Sequence, residues 1–289
     1  MTLGQHRTDN SRHGLHASKQ PQPLPAQPFL RWAGSKRALL TELQSHFPDE
    51  YERYVEPFAG SACLFFRSAP ERALLSDLNT ELIDTYVTVR AFPEDVGCRL
   101  ASLPVSKDDY YRIRQQKLKE SDAIGHAVRF IYLNRFCFNG LYRTNLKGDF
   151  NVPFGRPKTN NVPTSAELRA CAQRLEKSDL KAGDFEKTIA GQITKGDLVY
   201  LDPPYFHQGT RIFREYHPNS FGRGDLDRFV ALLRTIDEIG AKFIVSYASF
   251  PDTDTYFSTW NSKTVTTQRN ISGFAKHRRK ASEIIVTNY

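Results

Sequence analysis

The stretch KGDLVYLDPPYFHQG, residues 195–209, carries an acid, two prolines and a tyrosine directly after a short apolar segment. The segment LVYL is apolar enough to predict a central strand that is buried on both faces. Proline cannot donate to a central ladder, so the strand must end at or before Asp202. Ligands of open α/β sheets bind beyond the carboxyl ends of the strands, and this is where the sequence predicts Asp202 to lie.

The residues that follow this strand form a stiff corner rich in hydrogen-bond acceptors. Pro203 and Pro204 have no N–H and restrict the residues before them to extended geometry. The Asp202 carboxylate and the carbonyl oxygens suit a partner with two N–H donors, such as an exocyclic amino group. A fixed carboxylate would stabilise positive charge that develops on such a nitrogen, and Tyr205 could stack on a planar base. The alternative is a plain turn that ends the strand, with a buried tyrosine.

Strand and helix patterns alternate along most of the chain, which predicts an α/β fold with a parallel sheet. A helical and hairpin insert interrupts this alternation, with a turn at Lys147-Gly148-Asp149 between extended arms. Thr164 and Glu167 predict a capping box at the start of a further helix. The predicted strands lie in YERYVEPF, RALLSDLN, DLVYL, KFIVSYA and SEIIVTNY, and the predicted helices around them lie in ACLFFRS, NTELIDTYVTVR and DLDRFVALLRTIDEIG.

Composition limits the function classes. The 289 residues suffice for one or two domains, and the net charge of +8 favours a polyanionic partner. No apolar run is long enough for a membrane span and no secretory signal is present, so we expect a cytoplasmic protein without membrane contact. The cysteines lack metal-ligand spacing and predict reduced, mostly buried thiols. Residues 1–27 are polar and predict a disordered tail.

Several stretches in a fixed order resemble the DNA adenine N6-methyltransferases of the Dam type. The resemblance covers the chain from about Phe29 to its end, and the stretches are FLRWAGSK, VEPFAGSACLFF, LLSDLN, FIYLNRFCFNGLYRTNLKGDFNVPFG, VYLDPPY and YHPNSF. It implies a Rossmann-like domain that uses S-adenosylmethionine, formed by residues 28–79 and 164–289, with a helical and β-hairpin DNA-recognition domain inserted at residues 80–163. It also implies double-stranded DNA as partner, a monomer without an obligate protein partner, and no metal.

The resemblance assigns a donor site around the glycine turn FAGSA. This turn is neither G-x-G-x-x-G nor a P-loop, as expected for a donor that has no phosphates. Lys36 is the implied partner of the donor's carboxylate, and Asp77 could accept bonds from ribose hydroxyls. Alternatively, Lys36 is a surface charge and Asp77 a helix N-cap, while Trp32 is a core aromatic residue and Gly60 only a turn former. The implied cofactor-binding residues are Trp32, Lys36, Phe58, Gly60, Asp77 and Asp202. The chain departs from the family at Ser35 and Ala62, where glycine is common.

The insert has the composition of a DNA reader. Duplex DNA hides adenine N6, so the base must be flipped out. By resemblance Phe138 enters the duplex near the vacated stack, and Arg31 lies near the first base pair. Arginine can bond a guanine edge and asparagine an adenine edge. Alternatively, Phe138 packs within the insert and the basic residues are a solvated face. Further implied DNA-binding residues are Asn139, Leu141, Arg143, Asn145, Pro153 and Arg156. The basic run at residues 277–280 predicts phosphate contacts or, alternatively, a solvated loop. Pro157 departs from the family, and the hairpin suggests the palindrome GATC.

The implied reaction is direct transfer of methyl to adenine N6, with Asp202, Pro203, Pro204 and Tyr205 as the catalytic residues. One alternative is methylation of RNA adenine or protein glutamine, disfavoured by Asp202 and the intact hairpin. A second is a catalytically silent DNA-binding regulator, which predicts losses at Trp32, Lys36 or Asp77 that do not occur. A nicotinamide dehydrogenase is disfavoured because its glycine fingerprint is absent.

Overall fold

A single mixed sheet organises the described part of the chain. The computed structural model describes residues 25–205, 221–249, 253–268 and 280–289. Within these ranges the strands are β1 (Arg53–Glu56), β2 (Ala73–Asp77), β3 (Ser178–Ala182), β4 (Asp197–Leu201), β5 (Lys242–Ala248), β6 (Asn261–Gln268) and β7 (Lys280–Thr287).

The strand order β3-β2-β1-β4-β5-β7-β6 creates one switch point. Strands β1 to β5 are parallel, whereas β7 is antiparallel to both β5 and β6. From β1 the chain proceeds to β2 and β3 on one side, and β4 begins the other side. The register joins Val55 of β1 to Val199 of β4, so the segments after these two strands leave the sheet side by side. A crevice at such a reversal is the usual ligand site of an open α/β sheet.

Helices cover both faces of the sheet. On one face, residues of α1 to α7 share a core with Tyr54, Tyr200 and Ile285 of the sheet. The other face packs against α8 to α10 around Val199 and Phe229. The helices are α1 (Leu40–Ser45), α2 (Cys63–Ser68), α3 (Thr80–Ala91), α4 (Pro93–Ala101), α5 (Lys107–Gln115), α6 (Ala123–Phe136), α7 (Ser165–Leu175), α8 (Phe185–Ile189), α9 (Arg223–Ile239) and α10 (Thr253–Phe257), with 3₁₀ turns at Arg37–Leu39 and Phe138–Gly140.

The predicted α/β fold is confirmed, as are the five predicted strands and the capping box of Thr164 and Glu167. Strands β3 and β6 were not predicted from the sequence. Helix α3 packs on β2 and β3 as well as on α6 and α7, which connects the middle segment to the sheet. The division into a catalytic and a recognition domain stays a prediction.

The prediction of mostly buried thiols is confirmed. Cys63, Cys137 and Cys171 are buried free thiols, whereas Cys98 is an exposed one. Of the predicted tail, residues 1–24 lie outside the described residues, while Ala26 is already buried in the core. The predicted phosphate contacts at residues 277–279 and most of the YHPNSF stretch also lie outside.

Candidate active site

Asp202 lies at the switch point of the sheet, directly after the last residue of β4. All five residues of β4 are buried, and Tyr200 directs its hydroxyl to Ser246 Oγ at 2.9 Å. Pro203 is buried behind Asp202, and Pro204 is exposed. The buried strand and the first proline therefore hold the Asp202 carboxylate at the mouth of the crevice, as the sequence predicts.

Lys36 reaches Asp202 from a segment that lies far away in sequence. Its Nζ donates to Oδ1 and Oδ2 of Asp202 at 2.6 and 2.7 Å, and to the carbonyl oxygen of Gly34 at 3.0 Å. The Lys36 side chain is only 5% exposed and that of Asp202 is 20% exposed. Lys36 is therefore not a surface charge. Its predicted contact with the carboxylate of a methyl donor stays a prediction, because Asp202 occupies its ammonium here.

Burial and attraction act against each other in this pair. Burial disfavours the charged ammonium, but the attraction of Asp202 and Tyr205 outweighs it and raises the pKa of Lys36 above its usual value. Burial also raises the pKa of Asp202, while Lys36 acts in the opposite direction. The distance of 2.6 Å makes the two groups an ion pair, in which each charge offsets the cost of burying the other.

Tyr205 completes the corner. Its ring is half-buried, and the Lys36 ammonium lies over it at 5.2 Å from the centroid. Tyr247 of β5 meets the ring edge-on at 5.5 Å. These contacts leave Tyr205 beside the Lys36–Asp202 pair, and its stacking on a planar base stays a prediction.

The glycine turn faces this corner across the switch point. Gly60 has a φ of +48°, and a Cβ built there would lie 2.7 Å from Cδ1 of Trp32, so the indole ring lies directly on the turn. The backbone N–H of Gly60 donates to Oδ2 of Asp77 at 2.9 Å, and that of Asn79 donates to Oδ1. Asp77 is thus tied to the turn, and the N-cap of α3 is Asn79. Each Asp77 oxygen retains capacity for a further hydrogen bond.

An aromatic wall lies beside the turn, and the sequence analysis identified only half of it. Phe58 stacks on Phe185 with ring centroids 5.1 Å apart. Phe185 follows β3, a strand that the sequence analysis did not recognise. The preceding Asp184 caps α8 and pairs with Arg228 at 2.6 Å. The sequence feature that could have indicated Asp184 and Phe185 was the turn AGDF, which follows a short strand with little apolar character.

Two further carboxyl groups lie on the same sheet face as Asp202, and the sequence analysis missed both. Glu56 ends β1 and accepts a hydrogen bond from the hydroxyl of Tyr54 at 3.0 Å, and burial raises its pKa well above the usual range. Glu283 of β7 is 5% exposed and pairs in register with Ala248. Its charge helps to raise the pKa values of Asp202 and Lys36. An acid inside the apolar run SEIIVTNY was the available signal.

The predicted DNA-contact residues are brought together at the base of the hairpin. Phe138 is 46% exposed, and its backbone N–H donates to the carbonyl oxygen of Pro153 at 2.9 Å. Asn134 bonds both the N–H and the carbonyl oxygen of Arg31, and the Arg31 guanidinium donates to the carbonyl oxygen of Arg135. Arg31 therefore belongs to the same surface as Phe138. Phe138 does not pack in the core of the insert.

The hairpin itself fixes two predicted contact residues in different ways. Arg143 Nε donates to Oδ1 of Asn151 at 2.7 Å, which orients the guanidinium. Asn145 closes the turn because its Oδ1 accepts from the backbone N–H groups of Lys147 and Asp149. Asn139, Leu141, Pro153 and Arg156 are exposed, and Asn139 and Arg156 have positive φ. The DNA roles of these residues stay predictions.

Both donor-side departures from the family pattern lie at the glycine turn. Ala62 is buried and precedes α2 with a φ of +48°, a conformation that favours glycine. The Ser61 hydroxyl donates to that of Ser35 at 3.5 Å. Ser35 and Ala62 stand where the family commonly has glycine, so neither departure replaces a reactive side chain.

No cluster of three or more His, Cys, Asp or Glu residues in the described ranges could hold a metal ion. No helix in the same ranges has both the length and the apolarity to cross a bilayer.

Comparison with known proteins agrees with the geometry. The sequence profile of the D12 class N6 adenine-specific DNA methyltransferases matches residues 32–271. A type II methyltransferase of Lactococcus lactis, M1.LlaDCHI, is 33% identical over 93% of this chain and 98% of its own length. The DNA adenine methylase of Haemophilus influenzae is 34% identical over 91% of this chain and 93% of its own. The DNA adenine methylase of Escherichia coli K12 is 32% identical over 89% of this chain and 93% of its own length.

Proposed function

Because the chain belongs to the D12 class N6 adenine-specific DNA methyltransferases, we propose that it methylates N6 of an adenine flipped out of a GATC site. The observation that carries this proposal is the position of Asp202, at the carboxyl end of β4 and facing the glycine turn after β1. The proposed donor is S-adenosylmethionine, and the proposed acceptor is double-stranded DNA.

The residues around the glycine turn fit this donor. S-adenosylmethionine supplies a methyl group on a positively charged sulfur and carries no phosphate. Gly60 gives the backbone close approach, and the partly exposed Asp77 can accept from ribose hydroxyls. The stacked rings of Phe58 and Phe185 offer an apolar wall for an adenine ring.

Asp202 and Tyr205 supply the chemistry toward the acceptor. In our proposal Asp202 and the carbonyl oxygen of Pro203 accept the two hydrogens of the amino group. The N6 lone pair then bonds the methyl carbon while the methyl–sulfur bond breaks and leaves its electron pair on sulfur. Asp202 stabilises the positive charge that develops on N6 before a proton is released to water.

Lys36 favours the ionised form of this acceptor. Its ammonium opposes the effect of burial, which raises the pKa of Asp202. A carboxylate has about four acceptor positions, so the two contacts with Lys36 leave positions for an amino group.

The hairpin surface is the proposed reader of the duplex. Phe138 is exposed beside Arg31, and we assign it to the gap that the flipped base leaves. The oriented guanidinium of Arg143 is the proposed reader of a guanine edge. We propose GATC as the recognition sequence because of the sequence of this hairpin.

The test is methyl transfer from labelled S-adenosylmethionine to matched duplexes that contain GATC or the permuted GTAC. We expect N6-methyladenine in the GATC duplex only, and DNA affinity that falls steeply with salt. Labelled methyl groups on the GTAC duplex alone would overturn GATC as the recognition sequence. Label on RNA or protein but not on duplex DNA would favour the alternative substrates, and DNA binding without any turnover would favour the silent regulator.

A further inference from the structure

Tyr142 is the residue of the hairpin that reaches the donor side of the molecule. Its ring stacks on that of Trp32, with centroids 5.9 Å apart and an interplanar angle of 21°. Its hydroxyl donates to Oε2 of Glu81 at 2.8 Å. The ring also packs against Phe130 of α6 at 5.6 Å and Phe150 at 5.7 Å. One side chain thus contacts the second arm of the hairpin and three segments outside it, which are the Trp32 segment, α3 and α6.

The neighbours of Tyr142 belong to the opposite surface. Leu141 is 37% exposed, and Arg143 bonds Asn151 across the hairpin. Successive side chains of an extended segment point to opposite sides. The segment therefore offers Leu141 and Arg143 to a duplex while it directs Tyr142 inward.

Two of the partners of Tyr142, Trp32 and Glu81, adjoin the proposed donor site. Trp32 lies on the glycine turn, where a Cβ at Gly60 would touch the indole ring. Glu81 lies in the first turn of α3, which begins just after Asp77. A shift of Tyr142 would therefore disturb both sides of the donor site, and a shift of Trp32 would disturb the hairpin.

From this arrangement we propose that Tyr142 is a positioning residue that couples binding of the methyl donor to binding of the duplex. The proposal rests on the donor and DNA sites proposed above. Tyr142 contacts neither the reacting atoms nor, by its orientation, the bases. It acts through Trp32 on one side and through the backbone of Arg143 on the other.

The physical basis is the cost of ordering the hairpin. A donor that packs against Trp32 fixes the indole ring, and the stacked Tyr142 then restricts the hairpin to one orientation. A duplex that binds afterwards meets a hairpin that is already ordered and loses less conformational entropy. Linkage requires the reverse effect to be equal, so the duplex must strengthen donor binding by the same factor.

The experiment is calorimetric titration of the full chain with S-adenosylhomocysteine, with and without a GATC duplex. The coupling factor is the ratio of the two dissociation constants, and typical values are about 5 to 150. The variants are Tyr142→Leu, which keeps apolar packing but removes the stack, and Tyr142→Phe, which removes only the hydroxyl. Tyr111→Leu is the matched control, a half-buried tyrosine on α5.

We expect Tyr142→Leu to lower the coupling factor by about two- to twelve-fold, the usual contribution of an aromatic pair. Tyr142→Phe should retain most of the coupling, and Tyr111→Leu all of it. Loss of coupling in both Tyr142 variants would support the proposal and extend it to the hydroxyl. A coupling factor of one in the wild type would overturn the proposal. So would a coupling factor in Tyr142→Leu that equals that of the wild type. No S-adenosylhomocysteine binding to the wild type would instead overturn the proposed donor site.

Discussion

Lys36 and Asp202, 166 positions apart in sequence, form a nearly symmetric ion pair in which one ammonium lies 2.6 and 2.7 Å from the two carboxylate oxygens. The pair connects the segment before α1 to the end of β4. It therefore has two consequences, one for stability and one for catalysis, and these can be measured separately.

Asp202→Asn should destabilise the protein by about 3–5 kcal/mol, because it leaves the buried ammonium of Lys36 without a full counter-charge. The double variant Lys36→Met/Asp202→Asn removes both charges and should lose less than the single variant. Urea unfolding followed by circular dichroism measures both. Asp108→Asn, on the exposed first turn of α5, is the control that should change little. A double variant that is as unstable as Asp202→Asn, or less stable, would contradict this coupling.

The acid limb of the pH–rate profile should report Asp202. The carboxylate must be ionised to accept the amino hydrogens, and burial raises its pKa, so activity should fall at a higher pH than an ordinary aspartate would give. Glu283 contributes to this rise and Lys36 opposes it. Removing a like charge favours ionisation, so Glu283→Gln should move the acid limb to lower pH, and Lys36→Met should move it to higher pH.

Initial rates of methyl transfer across the acid range measure these shifts. Other titratable groups around the site are Glu56, Tyr200, Tyr205 and Cys63. Glu42→Gln is the control, because Glu42 pairs with Lys263 on a half-exposed surface. An acid limb that stays in place in Glu283→Gln, or that moves to higher pH, would contradict this assignment to Asp202.

Gly60→Ala should weaken donor binding. A Cβ at Gly60 would meet Trp32 Cδ1 at 2.7 Å, and the φ of +48° adds strain of about 1–3 kcal/mol. Gly191→Ala is a matched control, since Gly191 has a φ of +67° but nothing within 4 Å of the added carbon. Calorimetry with S-adenosylhomocysteine should show a loss for Gly60→Ala and none for Gly191→Ala. Equal affinities in the two variants would remove Gly60 from the donor site.

Arg143→Ala should lower sequence discrimination more than overall DNA affinity. A bidentate contact with guanine contributes about 1–3 kcal/mol of discrimination, whereas phosphate contacts act on every sequence alike. Fluorescence anisotropy with GATC and GTAC duplexes gives both quantities. Arg112→Ala removes an exposed arginine of α5 and should leave them unchanged. A uniform loss on both duplexes would make Arg143 a phosphate contact.

The sequence predicts the elements whose local pattern is strong. The apolar segments of β1, β2, β4 and β5 are each followed by turn or helix signals, so both their type and their order are predictable. The position of Asp202 follows from the two prolines after β4, which cannot extend a central ladder. Thr164 and Glu167 likewise carry their capping box in the local sequence.

The missed features depend on tertiary contacts. Strand β3 has the sequence SDLKA, which lacks apolar alternation, and it forms by pairing with β2. The stacking of Phe185 on Phe58 was therefore not predictable either. Glu283 reaches the face of Asp202 only through the antiparallel register of β7. The pairing of Lys36 with Asp202, and of Tyr142 with Trp32, joins segments that sequence patterns treat as independent.

The most direct test of the proposed chemistry is a crystal structure with S-adenosylhomocysteine and a GATC duplex. We predict a flipped adenine whose N6 lies about 3 Å from both the Asp202 carboxylate and the Pro203 carbonyl oxygen, with Tyr205 against its ring. An adenine that remains stacked in the duplex, or an Asp202 turned away from both base and sulfur, would contradict the proposal.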